Sequence, residues 1–366
     1  MLNGWSNEDT DVLRSGRIGA RPAPIRAAVV GCGYWGPNLA RNLAESSDFS
    51  LHALCDRDEN QLRALARSHP DVGAVADFDA LLCDDAVEAV VIATPPQTHF
   101  PLCKLALQAG KHVLVEKPLA TRLRDGRELA DLAKTSDLVL MPGHTFIYSP
   151  AVNIVRDLIQ AEVVGDIHFI TSSRMNLGKY QRDGVVCDLA PHDISILRYW
   201  LGEPLVEVAA SGSCVYREGV PETAFLTLTF ASGTTANVQL SWLAPRKLRQ
   251  MIVVGSKRMV QYDDTASDEP VRVYDRGMDV VPPPSNFGEH QLVYRTGDVV
   301  IPRVEPQEPL RLELQDFARA IRTGEEPRSN VALGLDIVAA VEMAQASMRE
   351  NGSPQAYAPL IEPAAA

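Results

Sequence analysis

Residues 26–38, Arg-Ala-Ala-Val-Val-Gly-Cys-Gly-Tyr-Trp-Gly-Pro-Asn, constrain the fold of this chain more than any other stretch. The apolar run 27–30 reads as a short buried strand. It ends in Gly31, Gly33 and Gly36 at G-x-G-x-x-G spacing, after which Leu39 and Leu43 recur at a helical period. In such a strand–turn–helix unit Gly31 permits the tight turn, Gly33 lets backbone approach a pyrophosphate, and Gly36 lets the helix pack close to the strand. The unpaired N–H groups of the helix start, beside Tyr34 and Trp35, then face an anion. Pro37 suits the first helical turn, where its missing N–H had no partner. A second strand over 50–55 ends at Asp56, where a carboxylate is placed to meet the ribose hydroxyls of an adenosine. The two signals together predict a dinucleotide site formed by Gly31, Gly33, Tyr34, Trp35, Gly36 and Asp56. The plainer reading is a glycine turn beside a solvated aspartate. Asp56 favours NAD, because it repels a 2′-phosphate, while Arg57 beside it can accommodate that phosphate and keeps NADP open.

With 366 residues, the chain is long enough for about two domains, and 46% hydrophobic with 22% charged residues describes a globular protein. A net charge of −12 argues against a nucleic-acid partner or an anionic membrane surface, so any anionic ligand must be held by local cations. The six cysteines are scattered without C-x-x-C or metal spacing, which predicts reduced thiols, a cytoplasmic location and no metal site. Residues 1–24 lack the apolar core of a signal peptide and read as a tail, as do residues 353–366, and no run approaches a membrane span.

Between 25 and 145 strands and helices alternate, and the strand over 87–94 is nearly all apolar, as expected of one covered on both faces. This predicts an α/β domain, a doubly wound parallel Rossmann sheet with its ligand beyond the carboxyl ends of the strands. From 146 to 352 a helix (151–160), one strand (167–174) and a second helix (191–200) precede a series of strands up to 274 without intervening helices. That order predicts an α+β domain on an open, mostly antiparallel sheet, closed by helices over 309–322 and 333–349.

Two further stretches carry chemistry. Glu116-Lys117-Pro118 follows the fifth strand, and a lysine at such a carboxyl end can hold a substrate oxygen and steady developing negative charge; alone, it is as readily a surface charge. In Asp188-Leu-Ala-Pro-His192, Pro191 as a helix start puts His192 on the first turn, where the positive helix end disfavours imidazolium and keeps a general base neutral. Asp188 then orients the ring or pairs with Lys117; in the plainer reading it caps the helix and His192 is an ordinary polar residue.

Gly31-x-Gly33-x-x-Gly36, Glu116-Lys117-Pro118 and Asp188-x-x-x-His192, in this order, resemble the Gfo/Idh/MocA family of oxidoreductases over about residues 26–352. The resemblance implies Lys117, Asp188 and His192 as catalytic residues. It further implies Thr94-Pro95-Pro96, with His99 following, along the nicotinamide side, Glu116 beside them, and a Lys-Pro bond that is often cis. Residues 33–38, 143–150, 173–178 and 295–302 are similar to the sugar-nucleotide branch of 3-dehydrogenases and 3-ketosugar reductases. Cys187 departs from it, since relatives often carry tryptophan there. An NAD(P)-dependent enzyme is thus implied, moving a hydride between nicotinamide and a sugar alcohol or ketone, at C3 of a nucleotide sugar. The alternatives are a free-sugar or cyclitol dehydrogenase and a non-catalytic dinucleotide-binding regulator. For the substrate, Tyr148, Arg174, Asn176, Tyr180 and His192 are the candidates. Lys179, Arg182 and the 246–249 cluster (Arg246, Lys247, Arg249) are further candidate cations, the cluster being equally a solvated turn. The open sheet predicts a homodimer or homotetramer.

Overall fold

The computed structural model describes residues 22–178, 182–280 and 292–357. Lys179, Tyr180 and most of both expected tails lie outside the described residues.

The first half alternates β1 (Ile25–Val30), α1 (Gly36–Glu45), β2 (Phe49–Cys55), α2 (Glu59–Ala66), β3 (Gly73–Val75), α3 (Phe78–Leu82), β4 (Ala89–Ile92), α4 (His99–Gln108), β5 (His112–Glu116), α5 (Leu123–Thr135) and β6 (Leu140–Gly143). All strand pairs are parallel, in the order β3-β2-β1-β4-β5-β6. Strand order reverses between β1 and β4, so a crevice opens there beyond their carboxyl ends. β4 is fully buried along its length, which explains its unbroken run of β-branched and small residues.

The chain then forms α6 (Pro150–Gln160), β7 (Ile167–Leu177), α7 (Gly184–Leu201), β8 (Leu205–Ser213), β9 (Thr223–Phe230), β10 (Thr235–Ser241), β11 (Leu243–Gly255), β12 (Met259–Asp263) and β13 (Val271–Tyr274). A short ladder of β14 (Gly277–Val280) with β15 (Leu292–Arg295), then β16 (Val299–Val300), α8 (Pro309–Thr323), α9 (Val331–Arg349) and β17 (Gln355–Ala356) complete the described chain. The second sheet runs β16-β13-β12-β11-β7-β10-β9-β8-β17, and β7 with β10 is its parallel pair among otherwise antiparallel neighbours. One face is packed by helices: Trp200 of α7 meets Tyr262 of β12 edge-on at 6.0 Å, both nearly inaccessible.

Two element starts lie seven residues ahead of expectation. α7 begins at Gly184, seven residues before Pro191, because Val185 and Val186 are buried and extend its apolar face. Gly184 starts the helix with φ +79°, a conformation glycine adopts freely. Pro191 therefore lies inside the helix, where it forgoes one backbone hydrogen bond. β11 starts at Leu243 rather than 250, with an irregularity against β7 between Leu243 and Leu248, after which Arg249 stands opposite Arg174.

α8 and α9 return to the first sheet. Phe317 of α8 stacks on Phe49 at 6.0 Å, Arg41 pairs with Glu308 at 2.6 Å, and Arg322 with Asp48 at 2.6 Å. Burying a side chain such as Phe317 stabilises by roughly 1.5–3 kcal/mol, more than the exposed pairs beside it. By length and composition α9 is apolar enough to cross a membrane, contrary to the expectation of no such run. Here it packs against α5, α7 and β8, which accounts for its apolar faces.

Candidate active site

The glycine turn between β1 and α1 is tight. Gly31 has φ +99°, and a Cβ on Gly36 would lie 2.1 Å from the Gly31 carbonyl oxygen. α1 carries no side-chain cap and no acidic residue in its first turn, so no side chain of its own blocks its positive dipole end from a pyrophosphate. The Asp56 carboxylate accepts from the Cys32 and Asp58 N–H groups at 2.7 and 2.8 Å, which fixes it at the end of β2. These features fit a bound dinucleotide. Tyr34, Trp35, Asn38 and Arg57 line the adjoining end of a cleft of about 1470 Å³, whose wall continues through Thr94, Pro95, Pro96, Glu116 and Lys117.

His99 does not line this cleft. It is fully buried behind the wall, its Nδ1 2.7 Å from the Pro118 carbonyl and its Nε2 2.8 Å from that of Thr94. It ties the turn after β4 to the turn after β5, and burial lowers its pKa. The Lys117-Pro118 bond is cis.

Lys117 reaches across the cleft to α7. Its Nζ donates to the Asp188 carbonyl at 2.8 Å and lies 3.3 Å from Asp188 Oδ1. Trp242 Nε1 donates to Asp188 Oδ2 at 3.1 Å, so the carboxylate is held from both sides. Asp188 is thus a pairing residue in mid-helix and not a cap. One helical turn on, His192 faces the same space, its ring edge-on to Phe146 at 4.9 Å. The expected cause of its neutrality is corrected: it is not on a first turn. Burial lowers its pKa well below the ordinary value, followed by the charges of Lys117, Arg174 and Arg249. Cys187 also lines the cleft and accepts from Gln345 Nε2 at 2.9 Å; burial pushes its thiol up to about 12, which leaves it protonated.

Behind Lys117 lies a buried polar group. Both ring nitrogens of His144, Glu116 Oε1 and Glu313 Oε1 are buried without a hydrogen-bond partner among the described residues. Burial brings His144 down to about 3 and raises Glu116 above the ordinary carboxylate value, Lys117 opposing the latter. Glu313, which accepts from Thr145 Oγ1 at 2.9 Å, is raised well above the carboxylate range by burial and then by Glu116. In the unfolded chain a glutamate ionises near its ordinary pKa, so the unfolded state gives up this proton first and stability falls as pH rises towards the folded value. Glu313→Gln keeps an acceptor for Thr145 and cannot ionise. Its gain in Tm over the parent is therefore expected to grow from pH 5 to pH 8 in calorimetry; a gain independent of pH contradicts this.

The residues expected to bind substrate are divided by the fold. Tyr148 is fully buried, donating to Asp316 Oδ2 at 2.8 Å and accepting from the Ser329 N–H, so it does not reach the cleft. Arg174 is also inside, its Nε 2.6 Å from Asp193 Oδ2, because Asp193 on α7 supplies a buried counter-charge. Asn176 is half-buried on β7 and is not part of the cleft lining. Arg182 and Arg249 do line it, whereas Arg246 and Lys247 are exposed on β11. Phe146, Asp264, Glu308 and Gln345 also line the cleft. Phe146 lies in the 143–150 stretch and Glu308 in the Glu308-Pro-Leu run after 295–302, both similar to the sugar-nucleotide branch, whereas nothing local marks Asp264 and Gln345.

Two family models match the chain. The oxidoreductase-family NAD-binding Rossmann fold model of GFO/IDH/MocA covers residues 25–144, and the GFO/IDH/MocA C-terminal domain model covers 152–261. A UDP-N-acetylglucosamine 3-dehydrogenase of Acidithiobacillus ferrooxidans is 28% identical over 87% of this chain and 97% of its own. A solved structure under that name superposes with a TM-score of 0.76 at 25% identity, covering 89% of this chain and 98% of its own. A dTDP-3,4-didehydro-2,6-dideoxy-alpha-D-glucose 3-reductase of Streptomyces violaceoruber is 40% identical over 47% of each chain. A myo-inositol 2-dehydrogenase of Thermotoga maritima is 28% identical over 69% of this chain and 79% of its own.

Proposed function

The chain belongs to the GFO/IDH/MocA oxidoreductase family, whose first domain binds NAD, and from that premise we propose that it interconverts a secondary alcohol and a ketone at C3 of a nucleotide sugar. The observation that carries this reading is the convergence of Lys117, Asp188 and His192 on one cleft that opens at the glycine cradle. The cofactor is NAD, which Asp56 favours, or NADP, whose 2′-phosphate Arg57 on the cleft wall can accommodate; when bound, its nicotinamide supplies the hydride acceptor or donor.

The chain's own residues do the rest. Lys117, anchored by Asp188, donates a hydrogen bond to the reacting oxygen and steadies its negative charge as the carbon–hydrogen bond weakens. His192, neutral at pH 7, takes the hydroxyl proton in the oxidative direction and returns it in the reductive one. Asp188 holds the lysine, and Trp242 holds Asp188. Thr94, Pro95 and Pro96 shape the wall beside the reacting carbon, and His99 fixes that wall to the turn bearing Lys117.

The dehydrogenase and reductase relatives acting at position 3 of nucleotide sugars support C3 chemistry, and the inositol dehydrogenase relative supports the second reading, a cyclitol or free-sugar enzyme. Cofactor reduction assayed with UDP-N-acetylglucosamine, N-acetylglucosamine and myo-inositol separates them. The nucleotide sugar is expected to give the highest kcat/KM; faster turnover of either neutral compound favours the second reading.

Assembly follows from the other face of the large sheet. Phe169, Leu177 and Phe225 point away from the helices with 44%, 70% and 51% of their surface exposed. Pairing of two copies through this face covers them. Light scattering is expected to give a dimer or tetramer, and a monomer at micromolar concentration contradicts it.

A further inference from the structure

Arg249 and Arg174 stand opposite one another on β11 and β7, and both guanidinium groups lie over the Phe146 ring, 5.6 and 4.6 Å from its centroid. The same ring meets His192 edge-on. The two arginines are employed differently. Arg174 is buried against Asp193, with side-chain exposures of 3% and 2% in that pair. Arg249 lines the cleft with 32% of its side chain exposed, and its hydrogen-bonded partner is Asp264, to whose Oδ2 Nη1 donates at 2.9 Å. A guanidinium offers five N–H donors in a planar fork, so one such bond leaves most of the fork without a protein acceptor among the described residues. An arginine whose only task was to pin strands together would be enclosed as Arg174 is.

We propose that Arg249 determines specificity by taking an anionic oxygen group, phosphoryl or carboxylate, carried by the sugar whose alcohol reacts at His192. This deepens the sugar-oxidoreductase reading and rests on it. The fork of a guanidinium matches both groups in bidentate geometry. Phe146, wedged between Arg249 and His192, sets the spacing between the anion and the reacting carbon. In a chain of net charge −12, an anionic substrate needs such a local cation. Ser149, Asp264 and Pro309 line both the main cleft and a smaller cavity of about 150 Å³ beside residues 304–307. A small cavity thus adjoins the cleft at Asp264, the residue that holds Arg249.

The test measures kcat/KM and Kd of the NAD-loaded protein for UDP-N-acetylglucosamine, N-acetylglucosamine 1-phosphate, glucuronate and N-acetylglucosamine. Arg249→Gln is expected to lower the preference for anionic over neutral sugar roughly tenfold or more. Asp264→Asn, which removes the competing carboxylate, is expected to preserve or raise that preference. Whether the phosphorylated sugars or glucuronate suffer in Arg249→Gln tells phosphoryl from carboxylate. Arg249→Lys keeps the charge without the fork; it replaces the glutamine variant if that fails to fold, and is expected to lose part of the preference. A preference unaltered in Arg249→Gln, an equal loss in Asp264→Asn, or a wild type that prefers neutral sugars overturns the proposal. Binding of an anionic sugar that depends on Arg249 but leads to no turnover overturns the dehydrogenase reading and upholds the Arg249 assignment.

Discussion

Lys117→Ala and His192→Ala are each expected to lower kcat by about 10²–10⁴-fold while the affinity for NAD stays within a few-fold of the parent. Lys117 is held against the reacting space by a carboxylate that is itself held, since Asp188 accepts from both Lys117 and Trp242. Truncating it removes the donor to the developing alkoxide, a loss of roughly 3–4 kcal/mol where such donors have been removed from preorganised sites. It also strands Asp188 in the cleft wall, so part of the effect is electrostatic rearrangement. For His192 the loss is of the proton acceptor. Its surroundings, burial first and then Lys117, Arg174 and Arg249, favour the neutral ring, so the variant's remaining activity is expected to rise with pH as hydroxide replaces the missing base. Steady-state kinetics with parallel cofactor titration checks both. Turnover near the parent in either variant removes that residue from the chemistry, and an equal collapse of cofactor affinity makes its role structural.

The second large effect is on stability. Arg174→Ala leaves Asp193, 1% exposed, with Ser172 Oγ at 2.7 Å as its one remaining side-chain partner among the described residues. Breaking a buried pair by removing one member costs about 3–5 kcal/mol, because the other charge stays behind in a poor solvent. An unfolding free energy lower by that amount is expected in chemical denaturation, and Arg174→Ala combined with Asp193→Asn is expected to recover part of it. A variant of normal stability with a raised KM would instead restore the direct substrate contact first expected of Arg174.

The contrast between Arg174 and Arg249 shows where sequence reasoning stops. The Rossmann half was legible because its signals are local: apolar runs of strand length, the glycine turn, and Asp56 at a fixed distance along the chain. Lys117, Asp188 and His192 lie in short patterns that read equally as a surface charge, a helix cap and an ordinary polar residue; the family resemblance singled them out, and the structure sets all three on one cleft wall. What surrounds them was not legible. Arg174 looked available because it closes a strand, yet Asp193 on α7 encloses it; Arg249 looked like a turn residue until the irregularity in β11 set it opposite Arg174. Tyr148 is buried by Asp316 and Ser329, more than 160 positions away, and no spacing rule reaches that far. His192 was expected to be neutral through a helix terminus that lies elsewhere; burial and neighbouring cations act in its place. Pro191 misled because proline favours a first turn, whereas the apolar Val185 and Val186 carry the helix back to Gly184.

Chemistry at C3 is tested most directly by which carbon of the sugar gives up hydrogen. UDP-N-acetylglucosamine carrying deuterium at C3 is incubated with the protein and NAD, and the products are analysed by mass spectrometry. The prediction is deuterated NADH with a 3-keto sugar, formed by the wild type and at a rate at least a hundredfold lower by His192→Ala. Undeuterated NADH, with deuterium kept in the sugar, or no reduction of NAD by any nucleotide sugar, contradicts it.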